Sequence, residues 1–436
     1  MEASANGELI VKGGKRLCGT IAIAGNKNAA LPMIAAALLT NEPVTLLNVP
    51  DIKDVEVMLD VAKGFGVSVE RNLKKGTVVL CADRISSTDI NPAVARRIRT
   101  SFLFAGPLLA RCGRAKVPPP GGDAIGHRRL DTHFNGFCAL GASARRSGGN
   151  MLFSGKLVGA EIVLDEASVT ATENLLMAAV LSKGRTVIFN AACEPHVVDL
   201  ARLLKSMGAK ISGEGTNRLV IRGVERLHGA KARVGCDYIE AGSYIAAAAV
   251  TGGEITLEGI DAEPFAIMEG TFARFGVHWK IDAKRRTLHY AAKKLRMQYD
   301  LGDAIPTLAD GPWPAFPSDM MSALIVVATQ TRGTCLFFEK MFESRLYFID
   351  HLRQLGAKIV QCDPHRVVVT GPSSLSAGTV TSPDIRAGIA MVIAALAAKG
   401  ETVIHNAGSI DRGYASVVEK LAALGASVSK RVMAEG

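Results

Sequence analysis

The sequence predicts an α/β fold built from six repeated units arranged as two similar domains. A short phrase, a large apolar residue followed by Gly and then Val or Ala, recurs six times, with its glycine at positions 66, 141, 208, 276, 356 and 425. The copies lie about 70 residues apart, a period typical of structural repeats. Helix-like segments precede the phrase and β-alternating segments follow it in most copies. Helices and strands alternating at this period indicate α/β units.

Each repeated phrase predicts the end of a helix. Its glycine should take the left-handed conformation that closes a helix, and the next residues form a β-alternating run, as at 209–212 and 357–360. Most units also carry an Ala- and Leu-rich helix, a turn, a strand rich in Thr, Val and Ile, and a loop into the second helix. The clearest helix, strand and helix patterns are at 29–39, 43–47 and 54–66, at 172–181, 185–189 and 197–208, and at 387–398, 401–404 and 414–425. One unit is therefore strand, helix, strand, helix, strand, strand.

Six such units could stack as a solenoid or bundle into two domains. A unit of about 70 residues is too small to bury its own helices well, and the first helices are apolar all round, which favours the interior of a bundle. Three units per domain give two similar domains with a cleft between them. Because the chain begins with a lone strand-like run at 9–12, we expect one discontinuous domain, 1–21 with 236–436, and one inserted domain, 22–235, that carries a loop at 117–129.

Composition restricts the partners. The 436 residues are 48% hydrophobic and 21% charged, as in a globular protein, and the net charge of +10 favours anionic partners. Aromatic residues make up only 5% and the cations are scattered, so no nucleic-acid platform is expected and phosphorylated small molecules fit better. The eight cysteines are far apart and no secretory leader is evident, which favours a reducing cytoplasm. The most apolar runs, 244–250 and 390–398, are well short of the roughly 18 residues that span a bilayer.

The most unusual segment is the loop 117–133. Three prolines prevent a helix, Gly121 and Gly122 let the backbone approach a ligand, and Asp123 lies just before a group of cations. This composition indicates a mobile loop that faces an anion; an ordinary surface connection is the alternative. His127 and His133 suit neither a helical metal pair nor a zinc finger, so a hydrogen-bonding role is expected for them.

Polar residues that interrupt the apolar pattern gather before the first or the second helix of a unit. Helix N-termini carry unpaired N–H groups and a partial positive charge, and several of them facing one cleft would bind an anion. The residues before first helices are Lys27, Asn28, Arg99, Ser168, Glu173, Asn174, Asp237, Asp319 and Arg386. Those before second helices are Asp123, Arg128, Asp131, His133, Glu194, Glu343, Arg345, Asp411 and Arg412.

Helix caps and surface ion pairs are the alternative explanation for each of these residues. Asp411, Glu194 and Ser168 look most like caps. Asp319 is expected to cap a helix at 320–331, which is compatible with catalysis. The residues least like caps or ion pairs are Lys27 and Arg412, which sit in small-residue loops without an obvious i,i+4 partner.

Eight ordered motifs spread over essentially the whole chain resemble the enolpyruvyl transferases, and among them the branch whose acceptor is UDP-N-acetylglucosamine. They are Gly25-Asn-Lys-Asn-Ala-Ala30, Ile98-Arg-Thr-Ser101, Pro120-Gly-Gly-Asp-Ala-Ile-Gly126 with Arg128 and Asp131, Ala171-Thr-Glu-Asn174, Phe316-Pro-Ser-Asp319, Met341-Phe-Glu-Ser-Arg345, Asp384-Ile-Arg386 and Ile410-Asp-Arg-Gly413. The resemblance implies an inside-out α/β barrel with two domains of three units that close over substrate.

The reaction that the resemblance implies moves the enolpyruvyl group of phosphoenolpyruvate to the 3'-hydroxyl of UDP-N-acetylglucosamine and releases phosphate, the first committed step of peptidoglycan synthesis. It needs an acid for the methylene carbon, a base for the hydroxyl and cations for the donor. No metal or organic cofactor is implied. The implied roles are phosphate binding by Lys27, Arg128 and Arg412, donor carboxylate binding by Arg345 and Arg386, base catalysis by Asp319, and contact with the nucleotide sugar by Asn28, Arg99, Asp131, Ser168 and Glu194.

Three positions depart from the family pattern. Asp123 stands where most members carry a cysteine, as in a minority of the family; a carboxylic acid can still deliver a proton, but the covalent thioether becomes impossible. We therefore expect insensitivity to fosfomycin, which alkylates that thiol. Arg129 replaces a common proline, and Glu166 replaces a common lysine near the nucleotide diphosphate. These two changes leave the acceptor nucleotide open.

Three other functions compete with this one. A 3-phosphoshikimate acceptor is disfavoured, because the loop Lys27-Asn-Ala-Ala30 leaves few groups for an acceptor phosphate. Another nucleotide's 3'-hydroxyl is the more serious alternative. A catalytically silent paralogue that binds nucleotide sugar would have no need for both donor cations and a base such as Asp319. The oligomeric state is not indicated by the sequence.

Overall fold

The structure is a computed structural model that describes residues 7–123 and 125–432. Within them the chain divides into two compact units: residues 7–24, 125–127 and 236–432 form the first, and residues 25–123 and 128–235 form the second. The sequence had assigned the whole loop 117–129 to the inserted domain, whereas residues 125–127 group with the first unit. The ends of the discontinuous domain, 1–6 and 433–436, lie outside the described residues.

The secondary structure alternates between strands and helices along the described chain. The strands are β1 (Gly7–Lys12), β2 (Cys18–Ala22), β3 (Val44–Leu47), β4 (Ser68–Asn72), β5 (Thr77–Cys81), β6 (Arg114–Val117), β7 (Ser143–Ser147), β8 (Asn150–Ser154), β9 (Glu161–Val163), β10 (Arg185–Phe189), β11 (Lys210–Ser212), β12 (Arg218–Arg222), β13 (Ala230–Arg233), β14 (Glu254–Glu258), β15 (Trp279–Asp282), β16 (Thr287–Ala291), β17 (Thr307–Ala309), β18 (Gly333–Phe338), β19 (Ile359–Gln361), β20 (Arg366–Gly371), β21 (Thr379–Thr381), β22 (Glu401–His405) and β23 (Ser427–Val432). The α-helices are α1 (Lys27–Ala36), α2 (Lys53–Gly64), α3 (Pro92–Ala95), α4 (Ala105–Cys112), α5 (Asp131–Ala139), α6 (Val169–Ala179), α7 (Pro195–Ser206), α8 (Tyr238–Thr251), α9 (Glu263–Ala273), α10 (Ser318–Gln330), α11 (Ile349–Gln354), α12 (Ile385–Ala397) and α13 (Val417–Ala423).

The same sheet recurs in the repeats. The sheet of β9 to β12 shows the pattern. Strand β9 runs parallel to β10, β10 pairs antiparallel with β12, and β12 pairs antiparallel with β11. The described residues form five such sheets and one three-stranded sheet, β6, β8 and β7. In that sixth repeat a single parallel bridge between Asp89 and Lys116 stands where the other sheets have a first strand.

Strands distant in sequence complete three of the sheets. The N-terminal strand β1 lies between β22 and β23, with Leu9 opposite Ile404 on one side and Lys430 on the other. The next strand, β2, runs parallel to β14, and β13 runs parallel to β3. The start of the chain therefore supplies strands to two sheets of the first unit.

The six repeated glycines end helices as the sequence predicts. Their φ angles are +88°, +89°, +102°, +81°, +99° and +86° at residues 66, 141, 208, 276, 356 and 425. At the first of them the amide of Gly66 donates to Lys63 O at 2.9 Å and the amide of Val67 donates to Ala62 O at 3.3 Å. These bonds satisfy the last carbonyl groups of α2, as a left-handed C-cap does.

The first helices of the repeats lie in the interior of each unit, which confirms the prediction drawn from their all-round apolar sequences. In the first unit α8, α10 and α12 pack on one another, and every residue from Tyr238 to Ala249 of α8 is buried. In the second unit α4 packs on α6, and Leu31 to Ala36 of α1 are buried. The strands expose alternate residues, so sheets surround helices in each unit. None of the helices in the described chain is long and apolar enough to cross a membrane.

Two helix limits differ from the prediction. The helix expected at 29–39 starts at Lys27 and changes to a 3-10 turn at Ala37–Leu39. The helix expected at 414–425 is shorter, Val417–Ala423, because Ser416 has a left-handed φ of +52° that a helix does not continue through; a separate 3-10 helix, Ala407–Arg412, precedes it. Both segments lie beside candidate site residues.

The closing glycines provide a stability test within one unit. Gly425 has a φ of +86° and open space around the position of a Cβ atom, so Gly425→Ala should destabilise the fold by about 1 kcal/mol through backbone strain alone. Gly270, inside α9 and also with open space, is the matched control, since Gly270→Ala should stabilise the fold by about 0.5–1 kcal/mol. Urea unfolding measures both changes. Equal effects of the two substitutions would contradict the cap assignment.

Candidate active site

The first unit contains a buried cluster of one carboxylate and two guanidinium groups. Arg345 Nη2 lies 2.8 Å from Asp319 Oδ1, while Arg386 Nη2 lies 2.9 Å and its Nε 3.0 Å from Asp319 Oδ2. The arginine side chains are only 4% and 6% exposed, against 28% for Asp319. The N-cap position of α10 is held by Pro317 and Asp319 lies inside the first turn, so the prediction that Asp319 is the cap residue is wrong. Its oxygens face the two arginines instead.

Arg386 is fixed by the start of α12. Asp384 caps this helix by accepting hydrogen bonds from the amides of Arg386 and Ala387, at 2.8 and 3.0 Å. The guanidinium lies 5.4 Å from the ring centroid of Tyr414, whose hydroxyl is 2.9 Å from Ser243 Oγ. Burial acts to lower the pKa of Arg386, but the charge of Asp319, together with Tyr414 and Asp237, outweighs it and raises the pKa overall. The residue is therefore a permanent cation.

Both arginines keep a buried donor beyond those used on Asp319. Arg345 Nε and Arg386 Nη1 are buried and have no acceptor among the described residues. A buried donor without an acceptor is costly, and a guanidinium matches carboxylate and phosphate geometry. This part of the cluster can therefore bind an anion.

Arg412 lies at the end of the 3-10 helix Ala407–Arg412 and is half-buried. Its neighbour Asp411 is inside that 3-10 helix and pairs with Lys430 Nζ at 2.5 Å. The expectation that Asp411 caps a helix is therefore wrong. The 3-10 turn separates it from the start of α13 at Val417, which the sequence pattern did not reveal.

Residues 125–127 of the loop are held by the segment that leads to Arg345. The amide of His127 donates to Glu343 Oε1 at 2.7 Å, and the amide of Ser344 donates to Ile125 O at 3.1 Å. A Cβ atom on Gly126, whose φ is +136°, would lie 2.4 Å from Glu343 Oε2. Only glycine fits there. The His127 amide also lowers the pKa of Glu343.

In the second unit Lys27 is the first residue of α1 and is 8% exposed. The predicted loop placement of Lys27 is therefore wrong, and its Nζ lies 2.6 Å from Asp54 Oδ2 on α2, a partner far outside the i,i+4 spacing. Asn26 caps α1 by accepting from the amide of Ala29 at 3.0 Å. The adjacent Asn28 is half-buried.

Arg99 anchors the end of the loop in the second unit. It begins the 3-10 helix Arg99–Phe104, and its Nη2 donates to Arg128 O at 2.7 Å and Arg129 O at 3.2 Å. Burial, together with the charge of Arg128, lowers the pKa of Arg99 to about 10, while Glu166 opposes the shift. Arg99 thus stays charged at neutral pH.

The two loop glycines lie against the same region as Arg99. A Cβ atom on Gly121 would be 1.8 Å from Arg96 O, and one on Gly122 would be 2.9 Å from Arg99 Cβ. The sequence suggested that these glycines give mobility. The structure adds that they allow a backbone contact no larger residue permits. Asp123, which follows, is half-buried.

The two residues that depart from the family pattern, Arg129 and Glu166, lie among exposed charged side chains. Arg129 is 3.2 Å from Asp131 and 3.5 Å from Asp165, and these two acids raise its pKa. Thr132 Oγ1 donates to Asp165 at 2.6 Å and lies 3.5 Å from Glu166.

The two residues in this unit most suggestive of caps, Ser168 and Glu194, both occupy N-cap positions, but only Ser168 makes a side-chain capping bond. Ser168 Oγ accepts from the amide of Ala171 at 3.4 Å at the start of α6. Glu194 is the N-cap residue of α7, with its carbonyl accepting from the amide of Val197 at 2.9 Å, but its side chain makes no capping bond. It acts on Glu173 instead: burial first, then the charge of Glu194, raise the pKa of Glu173.

His133 has the hydrogen-bonding role expected from the sequence. It is buried, with Nε2 3.1 Å from Thr170 Oγ1 and Nδ1 3.1 Å from Asn174 Nδ2. Burial and the charge of Arg99 lower its pKa to about 3, so the ring is neutral at physiological pH. No cluster of three or more metal-binding side chains occurs among residues 7–123 and 125–432.

The EPSP synthase (3-phosphoshikimate 1-carboxyvinyltransferase) family profile matches residues 11–421. The chain belongs to this family. It is 50% identical to the UDP-N-acetylglucosamine 1-carboxyvinyltransferase of Treponema pallidum, over 96% of this chain and 98% of the relative. It is also 50% identical to the protein of that name from Borreliella burgdorferi, over 97% and 98%, and 48% identical to that from Bradyrhizobium diazoefficiens, over 97% and 98%.

Solved structures of this family have the same fold. The enolpyruvyl transferase NikO from Streptomyces tendae superposes with a TM-score of 0.86 at 23% identity, covering 99% of this chain and 100% of that one. An EPSP synthase from Acinetobacter baumannii gives 0.74 at 18% identity, covering 98% and 100%. The predicted enolpyruvyl transferase fold is confirmed.

Some residues beside the family motifs escaped the sequence reasoning. Asp54 had no local signal, because its partner Lys27 is in another helix. Tyr414 reads in sequence as an ordinary core aromatic. Asp310 and Glu339 are buried directly after β17 and β18, where no helical spacing relates them. Asp384 was named only as part of a motif, although its role as a cap could have been predicted, since it directly precedes an apolar helix.

Proposed function

We propose that this protein transfers the enolpyruvyl group of phosphoenolpyruvate to the 3'-hydroxyl of UDP-N-acetylglucosamine and releases phosphate. One observation carries the proposal: half of the residues are identical to enzymes of that name over nearly their full length. The arrangement of Asp319, Arg345 and Arg386 supports it, because a carboxylate held by two buried cations suits proton transfer beside an anionic donor.

The reaction is an addition followed by an elimination. A base removes the proton of the 3'-hydroxyl as its oxygen bonds to C2 of phosphoenolpyruvate, and an acid protonates the methylene carbon to a methyl group. The tetrahedral ketal then loses phosphate by C–O cleavage while the methyl group gives up a proton. The protein must therefore supply an acid, a base and cations for both charges of the donor. No metal or organic cofactor enters these steps.

In the first unit Asp319 is the proposed base, with Arg345 and Arg386 binding the donor carboxylate. The unmatched donors Arg345 Nε and Arg386 Nη1 give that carboxylate two hydrogen bonds without breaking the contacts to Asp319. If a guanidinium N–H turns from Asp319 to the carboxylate of phosphoenolpyruvate, the Asp319 oxygen that it leaves can accept the proton of the 3'-hydroxyl. Arg412 is proposed to bind the donor phosphate.

In the second unit Lys27 and Arg128 are also proposed to bind the donor phosphate, and Asp123 is the proposed acid. The ion pair of Lys27 with Asp54 holds the ammonium group at the start of α1, so that its charge is positioned before the donor binds. Asn28, Arg99, Asp131, Ser168 and Glu194 are proposed to contact or organise the nucleotide sugar.

The place of the reaction follows from its substrates. Phosphoenolpyruvate and nucleotide sugars are intracellular metabolites, so we place the enzyme in the cytoplasm, at the first committed step of peptidoglycan synthesis. Fractionation of the native cells checks this: activity should appear in the cytoplasmic fraction.

Phosphate release tests the function. Mixing the protein with phosphoenolpyruvate and UDP-N-acetylglucosamine should release inorganic phosphate at least about 100-fold faster than phosphoenolpyruvate alone. Shikimate 3-phosphate should give no stimulation. If phosphate is released only with another nucleotide that offers a ribose 3'-hydroxyl, that nucleotide is the acceptor, which is the alternative that Arg129 and Glu166 leave open. No release with any acceptor, from a protein that binds nucleotide sugar, would show a silent paralogue.

A further inference from the structure

Two buried carboxyl groups, Asp310 and Glu339, bond to the segments that carry Asp319 and Arg345 and have no part in the reaction above. They are 2% and 0% exposed, and both belong to the first unit. Two ionised carboxylates in such a place would repel each other and lack solvation. Their arrangement therefore needs an explanation of its own.

Glu339 connects the two segments that carry Asp319 and Arg345. Its carboxyl group accepts from Ser318 Oγ, at 2.9 Å on Oε1 and 3.1 Å on Oε2, and Ser318 directly precedes Asp319. Its Oε1 also accepts from the amides of Met341 and Phe342, each at 3.2 Å, at the start of the segment leading to Arg345. One side chain thus fixes the first turn of α10 relative to residues 341–345.

The partner of Glu339 is Asp310. Asp310 Oδ1 accepts from the amide of Lys340 at 2.5 Å, whereas its buried Oδ2 has no donor among the described residues. Asp310 and Glu339 directly follow Ala309 and Phe338, which pair in the parallel strands β17 and β18, and the amide of Asp310 donates to Phe338 O at 3.3 Å, so the two carboxyl groups are neighbours. Two carboxylates cannot hydrogen-bond, but a carboxylic acid and a carboxylate can. A single proton shared by the pair satisfies Asp310 Oδ2.

We propose that Asp310 and Glu339 form an acid pair that shares one proton and positions Asp319 and Arg345 for the reaction. This inference rests on the proposed function. Glu339 acts through Ser318 and the 341–345 backbone and does not touch substrate, so it is a positioning residue. The groups facing it are Asp310 on the bridge before α10, Arg345, Ser318, and His365, whose Nδ1 is 2.7 Å from Glu339 O.

The pKa of Glu339 agrees with this arrangement. Burial first, and then the hydrogen bond and charge of Asp310, raise it to about 9, against the opposing effects of Arg345 and Ser318. In the unfolded chain a glutamate ionises near pH 4.3. The folded protein therefore holds a proton that the unfolded chain has lost, so this group makes folding progressively less favourable as pH rises from about 4 to about 9.

Glu339→Gln tests the shared proton without using activity. The amide supplies the hydrogen that the protonated acid gives to Asp310, but it does not titrate in either state. The Tm of Glu339→Gln minus that of wild type should therefore rise by more than about 3 °C between pH 5.5 and pH 8.5. Glu401→Gln, an exposed glutamate of the same unit, is the matched control and should show a constant difference.

Asp310→Asn provides a second test. Its amide can donate to an ionised Glu339, so the pair no longer needs a proton, and the stability of this variant should fall less with pH than that of wild type. A Tm difference that stays flat with pH for both variants would overturn the shared proton, whatever the protein's substrate is.

Turnover tests the positioning role. Glu339→Ala removes the acceptor for Ser318, Met341 and Phe342, and should lower kcat about 100-fold, as a displacement of about 1 Å does, while Glu339→Gln should recover most of it. Equal losses in the two variants would overturn positioning through hydrogen bonds. If Glu339→Ala does not fold, a loss in Glu339→Gln as large as that of Asp319→Asn would overturn it. No turnover in wild type would instead reject the proposed function and leave the Tm result standing.

Discussion

Asp319→Asn should lower kcat about 1000-fold, the size of effect expected when a general base is removed. Asparagine keeps the shape of the side chain but cannot take the hydroxyl proton. It also removes the negative charge that Arg345 and Arg386 now face at 2.8–3.0 Å. The two cations should then hold an anionic donor at least as tightly as before. The KM for phosphoenolpyruvate should therefore stay constant or fall while kcat collapses, measured by phosphate release.

Asp350→Asn is the control for this experiment. Asp350 is an exposed acid of α11 in the same unit, paired with Arg353 at 3.3 Å, and its loss should leave kcat unchanged. Circular dichroism must show that Asp319→Asn is folded, because two buried guanidinium groups lose a charged partner. A folded Asp319→Asn with more than a tenth of the wild-type kcat would mean that another group accepts the proton.

The repeat was visible in the sequence because local rules produce it. A glycine with positive φ closes each second helix, and apolar residues cover every side of each first helix, so both signals lie within a few residues of the structure they specify. Burial in α8 and the left-handed φ of Gly425 follow directly from such short-range patterns. That β1 joins the C-terminal half was predictable only because six complete repeats need one strand more than the rest of the chain supplies.

The candidate site was predictable in its residue types but not in its contacts. Asp319 looked like a cap because it lies in the first turn of a helix, yet Arg386, 67 residues away, takes one of its oxygens. Lys27 looked unpaired because sequence reasoning examines the i,i+3 and i,i+4 positions, whereas Asp54 comes from the next helix. Charge pairs formed by packing between helices leave no short-range spacing in a sequence.

The same reasoning explains why the acid pair was missed. Asp310 and Glu339 lie at the ends of neighbouring strands, β17 and β18, which run parallel, so their proximity depends on sheet register. Ser318 was noticed only as part of a motif around Asp319. Register between strands is a tertiary property, and a lone sequence does not specify it.

Asp123→Asn should keep nucleotide-sugar binding and lower kcat by at least about 100-fold. An amide occupies nearly the same volume as the carboxylic acid, but its N–H groups are too weakly acidic to protonate the methylene carbon. Calorimetry with UDP-N-acetylglucosamine should give an unchanged Kd, while phosphate release falls. An Asp123→Asn variant that turns over at the wild-type rate would exclude Asp123 as the acid.

Asp123→Cys should retain turnover and gain irreversible inactivation by fosfomycin, to which the unmutated protein should be insensitive. A cysteine thiol can deliver the same proton, and its thiolate sulfur attacks an epoxide carbon, breaks the C–O bond and leaves an alkoxide that takes a proton from water.

Among the native cysteines, Cys193 is next to candidate residue Glu194, but burial and the charge of Glu194 raise the pKa of its thiol. Little of the Cys193 thiolate is therefore present at neutral pH. Adding Cys193→Ser to Asp123→Cys should leave the inactivation rate unchanged, with mass spectrometry placing the adduct on residue 123. Irreversible inactivation of the unmutated protein by fosfomycin would assign the reactive group, and with it the proton donor, to another residue.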